Sequence, residues 1–132
     1  MTLARRTLLV AAVAFAATAA VAQTATAPKQ KFTMAAFEAA QAAGKPVLVD
    51  VTAPWCPSCK AQAPIINSLL AKPVFKGIAV FEVDFDSQKD VVRMLKATTQ
   101  STLIVFKGKQ EAGRSTGDTN ADSIASLLGK SI

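Results

Sequence analysis

At 132 residues, 51% of them hydrophobic and 18% charged, the chain suits one globular domain able to bury about two-thirds of its unfolded surface without a metal or staple. Its formal charge of +6 is scattered, with no stripe of lysines and aromatics to follow a phosphate backbone, which argues against nucleic-acid binding. Two cysteines and no histidine cannot fill a tetrahedral zinc site within one chain.

Arg5 and Arg6 precede an apolar run from Leu8 to Ala22 that closes on Ala20-Val21-Ala22, the layout of a signal peptide. The run is shorter than the ~20 residues of a spanning helix, so cleavage after Ala22 is expected rather than a retained anchor. Arg5-Arg6-Thr7-Leu8-Leu9 also resembles a twin-arginine signal but lacks its usual flanks, and the general secretory route is expected. Cleavage lowers the formal charge to +4, because all nine acids lie beyond residue 22. The address expected is periplasmic or secreted. A small exported chain ordinarily uses disulfides as staples, whereas a single, closely spaced pair favours exchange. The organisation expected is therefore 1–22 signal peptide, 23–31 flexible leader rich in Ala, Thr and Gln, and 32–132 folded domain.

Thr33 is suited to cap a helix running to Ala43, with Phe32 and Phe37 in staple spacing, Gly44 as a stop, and Met34 and Phe37 facing a sheet. The run Val47 to Val51 reads as a strand ended by Pro54, and Asp50 lies inside it with no cationic partner in view. Burial is then expected to raise the Asp50 pKa. Pro57 suits the first turn of a helix reaching Leu70, with Pro64 inside it and Ile65, Ile66, Leu69 and Leu70 on its buried face. Cys56 falls at that helix's N-terminus, where free N–H groups and the macrodipole stabilise a thiolate. A thiol of pKa about 8.5 is only a few per cent ionised at neutral pH, and one near 7 about half. Cys59, one turn inward, is expected to be more buried and to resolve mixed disulfides formed on Cys56. As a mere staple so short a ring would contribute only about 2 kcal/mol.

A second strand is expected over Ile78 to Asp86, with Phe81, Val83 and Phe85 alternating with Glu82, Asp84 and Asp86. A short helix from Ser87 to Lys96 follows, then a strand from Thr102 to Lys107, a turn, and a strand from Glu111 to Thr116. A last helix reaches Leu128, with Gly129 as a stop.

Asp50, Trp55-Cys56-Pro57-Ser58-Cys59-Lys60 and Pro64 together resemble the active-site strand and helix of thioredoxin-like proteins. Thr102 to Lys107, and Gly117 ahead of the last helix, are similar to later parts of that family, so the likeness runs from about Phe32 to the end. The opening from Phe37 through Pro46 is closer to exported thioredoxin-like thiol–disulfide reductases than to cytosolic thioredoxin. The resemblance implies an α/β sandwich with a central mixed sheet, flanking helices and a first strand that is short or missing. It also implies a redox-active Cys56–Cys59 disulfide with no other cofactor, and Asp50 beneath it as proton acceptor for Cys59. Glu82 stands where many relatives carry a lysine. Trp55, Pro57, Ser58, Gln100, Ser101 and Thr102 are expected to shape the substrate-facing surface, and Lys60 to modulate Cys56. Ser101 occupies the place of the family's cis-proline; since a non-proline cis bond costs about 3 kcal/mol, a trans bond is expected.

The leading expectation is an exported, monomeric oxidoreductase whose dithiol reduces protein disulfides and is recharged by a membrane-embedded thiol–disulfide reductase. Two other readings stay open. A disulfide oxidant or isomerase is one, since Pro57-Ser58 between the cysteines does not decide direction. A dithiol protein holding a soft metal in a linear or two-chain site is the other, because loss of the family's proline opens the sulfurs.

Overall fold

The computed structural model describes residues 28–132. The expected signal peptide and most of the leader lie outside the described residues. In chain order the elements are β1 (Gln30–Lys31), α1 (Met34–Ala42), β2 (Pro46–Thr52), α2 (Pro57–Leu70), a 3-10 turn (Pro73–Phe75), β3 (Ala79–Asp84), α3 (Lys89–Met94), β4 (Thr102–Lys107), β5 (Gln110–Thr116) and α4 (Ala121–Gly129). The five strands form one sheet in the order β1-β3-β2-β4-β5, parallel through the first three and antiparallel at β4 and β5. This is the mixed α/β architecture expected, with a first strand of two residues.

Two corrections concern the N-terminal end. Gln30 and Lys31, expected in a flexible leader, pair with Phe81 and Glu82 of β3, so the folded unit begins before Phe32. Met34, expected to pack on the sheet, is 41% exposed. The local cause is the staple itself: Thr33 caps α1 by accepting from the Ala36 N–H, and the Phe32 ring packs against Phe37 at 5.1 Å, filling the sheet side of the first turn. Phe81 and Phe106 complete that aromatic group around Phe37.

β2 is central and buried on both faces, which explains its nearly unbroken apolar sequence. Its period of two sends Val47, Val49 and Val51 to the core under α1 and α3, with Phe81, Val83, Val92 and Ile104. Leu48 points the other way, into the core of Ile66, Leu69, Leu103, Val105, Ile124 and Leu128 under α2 and α4. By the same parity Asp50 and Glu82 belong to the α2 face. That alternation, rather than sequence proximity, gathers the polar residues beneath the cysteine helix.

Strand and helix ends follow side-chain chemistry. β3 stops at Asp84, short of the expected Asp86, because the Asp84 carboxylate turns back to accept the Asp86 and Ser87 N–H groups at 2.9 and 2.8 Å. These bonds to the charged form hold the Asp84 pKa below its ordinary value. Gln88 ties the same corner together, accepting from Asp84 N and donating to the Phe32 carbonyl, both at 3.0 Å. α3 is correspondingly shorter than the helix expected over Ser87 to Lys96. The β4–β5 hairpin turns at Gly108, whose φ of 59° suits a primed two-residue turn. α4 continues through Gly129, expected as its stop, and is capped at Lys130.

Candidate active site

Strand β2 ends at Thr52 and the chain turns through Ala53, Pro54 and Trp55 into α2, whose first residue is Pro57. Cys56 is the N-cap of α2, and its Sγ accepts the Cys59 N–H at 3.1 Å, the bond an N-cap oxygen makes to the third helical residue. Cys56 and Cys59 form a disulfide, with Cα atoms 5.3 Å apart. When the bond is reduced, the same N–H and the helix N-terminus favour negative charge on Cys56.

The expected burial order is not found. Cys56 is 1% exposed and Cys59 7%, so both sulfur residues are covered in the oxidised form. The reason is that the Cys56 side chain folds back over the helix end and packs with Ala53 and Phe85. Cap geometry therefore distinguishes the two, and exposure does not: Cys56 stands outside the helix receiving an N–H, while Cys59 lies inside it donating one.

A groove of about 250 Å³ opens on the Cys59 side, lined by Thr52, Pro54, Cys59, Lys60, Glu82 and Asp84 among others. Asp50 is 5% exposed and in parallel register with Glu82 on the adjacent strand. Among the described residues its only cationic contact is Lys29, whose Nζ lies 3.5 Å from Asp50 Oδ2. Sequence reasoning missed this partner, which lies 21 residues upstream in what read as leader; only the pairing of β1 with β3 carries it across. Burial raises the Asp50 pKa above its ordinary value, Lys29 opposes the rise, and the Glu82 charge adds to it.

That direction gives a stability prediction. Because the folded state holds the Asp50 proton more tightly than the unfolded chain, stability is fully kept below the unfolded pKa of about 3.9 and is lost as pH rises through the folded value. Asp50→Asn is therefore expected to stabilise the fold by about 1–3 kcal/mol at pH 7 and to make no difference below about pH 4, measured by denaturant unfolding at both pH values. Lys29, whose side chain is 24% exposed, loses its partner but keeps some access to water, which limits the opposing cost.

Trp55 is 55% exposed, so core packing does not explain it. Its indole Nε1 donates to Asp86 Oδ2 at 2.6 Å, which holds the ring beside the disulfide. Pro57 and Lys60 are exposed and Ser58 half-buried on the outer turn of α2. The Gln100–Ser101 bond is trans, since no peptide bond among the described residues is cis, and Ser101 takes a left-handed φ of 61°. Register places this loop at the cysteine end of the sheet: Thr102 pairs with Val51, just before the turn to Cys56. Thr102 Oγ1 fastens the loop by donating to the Thr99 carbonyl at 2.9 Å, while Gln100 accepts from the Thr99 hydroxyl. Among the described residues no three His, Cys, Asp or Glu side chains are grouped to hold a metal.

The thioredoxin family model matches residues 28–130, a span that takes in the strand, the disulfide and the Ser101 loop together. The chain belongs to the thioredoxin family. Among similar proteins, a thioredoxin H-type of Fagopyrum esculentum is 35% identical over 81 residues, covering 61% of this chain and 68% of that one. Thioredoxin of Chlamydia trachomatis is 33% identical over 84 residues, covering 64% of this chain and 80% of the relative. Among solved structures, Trxlp from Edwardsiella tarda is 42% identical with a TM-score of 0.74, covering 76% of this chain and 98% of that one. Membership together with the Cys56–Cys59 disulfide makes this thioredoxin-family chain a thiol–disulfide oxidoreductase. Thioredoxins act on disulfide-containing proteins, and the exposed Trp55 beside the bond is a surface such substrates can meet.

Proposed function

We propose that the chain is an exported dithiol reductant of protein disulfides. The observation that carries the attacking role is the Cys56 cap, since a sulfur that accepts a helix N–H is poised to be a nucleophilic thiolate; the reducing direction is taken from the thioredoxin family match. Cys56 thiolate attacks one sulfur of a substrate disulfide, forming a mixed disulfide and expelling the other sulfur as a thiolate that takes a proton. Cys59 then passes its proton to the Asp50 carboxylate and attacks Cys56 Sγ. This closes the Cys56–Cys59 disulfide and releases the second substrate thiol. The dithiol is oxidised by two electrons and the substrate disulfide is reduced by the same two. Asp50→Asn is expected to slow this release step by roughly tenfold or more while leaving the first attack much less affected.

Export is inferred from Arg5, Arg6 and the apolar, alanine-rich run to Ala22. A thiol reductant outside the cytoplasm needs a source of electrons, and a membrane-embedded thiol–disulfide reductase, acting on a monomer, meets that need. One experiment tests direction and address together. The full chain, expressed in a bacterium with an outer membrane, should appear in the periplasmic fraction beginning at Gln23. Its equilibrium with glutathione should give a potential near the −270 mV typical of thioredoxin, on the reducing side of about −220 mV. A value near −120 mV would instead make it an oxidant, and a full-length cytoplasmic product would sink the export reading.

A further inference from the structure

Gln62 is the most deeply buried polar residue of α2, 1% exposed, and lies one helical turn beyond Cys59. Its Nε2 donates to the Asp118 carbonyl at 2.7 Å and reaches the Ser101 carbonyl at 3.5 Å. The Gly117 N–H donates to that same Ser101 carbonyl at 2.9 Å. One side chain on the cysteine helix thus joins two loops that sequence separates, the Ser101 loop and the Gly117–Asp118 corner. Ser101 is held there at a φ of 61°, a conformation an unclamped serine would leave.

A second observation points to the same pair. Among the described buried side chains three polar atoms have no hydrogen-bond partner, Gln62 Oε1, Ser101 Oγ and Ser115 Oγ, and the first two lie on the residues that the strut connects. Orphaned polar atoms in a core are costly, and an apolar residue at 62 would avoid one of them. Two such atoms on the two residues that the strut connects mark a place where packing stability has been given up for position.

We propose that Gln62 is a positioning residue for protein substrates: it ties α2 to the Ser101 loop and holds that loop at the height of the disulfide, so that a substrate chain meets a preset backbone edge. The proposal rests on the reading that protein disulfides are the substrates. Its consequence falls on substrate binding rather than on thiol chemistry, because Gln62 contacts backbone carbonyls of the loops and the cysteines are held by the α2 cap.

The test is Gln62→Met, which keeps the unbranched length and removes both polar atoms, read with insulin as the disulfide substrate. The KM is expected to rise about tenfold with kcat within about twofold, and amide exchange at Gly117 to accelerate about tenfold. Ser101→Gly in the Gln62→Met background removes the penalty for positive φ, and should bring KM back to within about threefold of the wild type. Equal losses in kcat and KM, an unchanged Gly117 exchange rate, or a double variant no better than Gln62→Met overturns the strut. If Gln62→Met alone does not fold, recovery of folding and of KM in the double variant supports the proposal and its failure overturns it. A wild type that exchanges with no protein disulfide refutes the substrate reading instead, and Gly117 exchange in the variants still decides the strut.

Discussion

Cys56→Ser should lower disulfide reduction by at least about a thousandfold, whereas Cys59→Ser should still attack substrates and accumulate as a mixed disulfide with them. Serine at position 56 keeps the cap, since its oxygen can accept the Cys59 N–H as the sulfur does, so the fold and α2 should survive. What disappears is the capping sulfur, whose thiolate the helix end stabilises. The measurement is insulin reduction by the two variants beside non-reducing electrophoresis for trapped partners. Alkylation of the reduced wild type supplies an independent check, with Cys56 expected to react much faster than Cys59. Since the two residues are comparably covered in the oxidised form, equal alkylation rates would count directly against an assignment that rests on the cap.

Ser101 should respond in opposite directions to its two obvious replacements. Proline holds φ near −65°, and the observed 61° lies outside its reach, so Ser101→Pro is expected to cost about 3 kcal/mol or more and to lower the melting midpoint by more than about 10 °C. Glycine takes a positive φ without the Cβ penalty and removes the unpartnered hydroxyl, so Ser101→Gly should add about 1 kcal/mol, or about 4 °C. The position of the family's proline is thus one where this chain's backbone excludes it. Calorimetry of the two variants beside the wild type reads both signs in one experiment; a stabilising proline would show that the loop at 101 is held differently.

Much of the site was legible in short windows of sequence. The Val47 to Val51 run, Pro54 and Pro57 set a strand, a break and a helix start around Cys56, and α2 runs from Pro57 to Leu70 as read. The Phe32–Thr33–Phe37 staple and the Gly108 turn are equally local, because each depends on residues a few positions apart. Resemblance put Glu82 where many relatives carry a lysine, and the parallel register of β2 and β3 sets it beside Asp50. The misplacements had the opposite character. Lys29 was read as part of a leader because nothing near it is periodic, and Met34 as core because helical spacing cannot tell that the Phe32 ring already fills that side. Gln62 drew no notice in a helix whose apolar face was clear, since a buried glutamine is recognised only by the carbonyls that it meets.

By itself, then, the sequence determined the pieces: a cysteine at a helix cap, a second cysteine one turn in, a carboxylate within an apolar strand, and a serine where relatives carry proline. Those features follow from dihedral preferences and hydrophobic periods, which act over a few residues. The tertiary structure alone decided which pieces meet. Strand order β1-β3-β2-β4-β5 brings Lys29 within 3.5 Å of Asp50, and the packing of α2 on β4 sets Gln62 against Ser101. The physical reason is that such contacts are by-products of burying two apolar faces of one sheet: the hydrophobic effect selects the layers, and the register of the layers then chooses the polar neighbours.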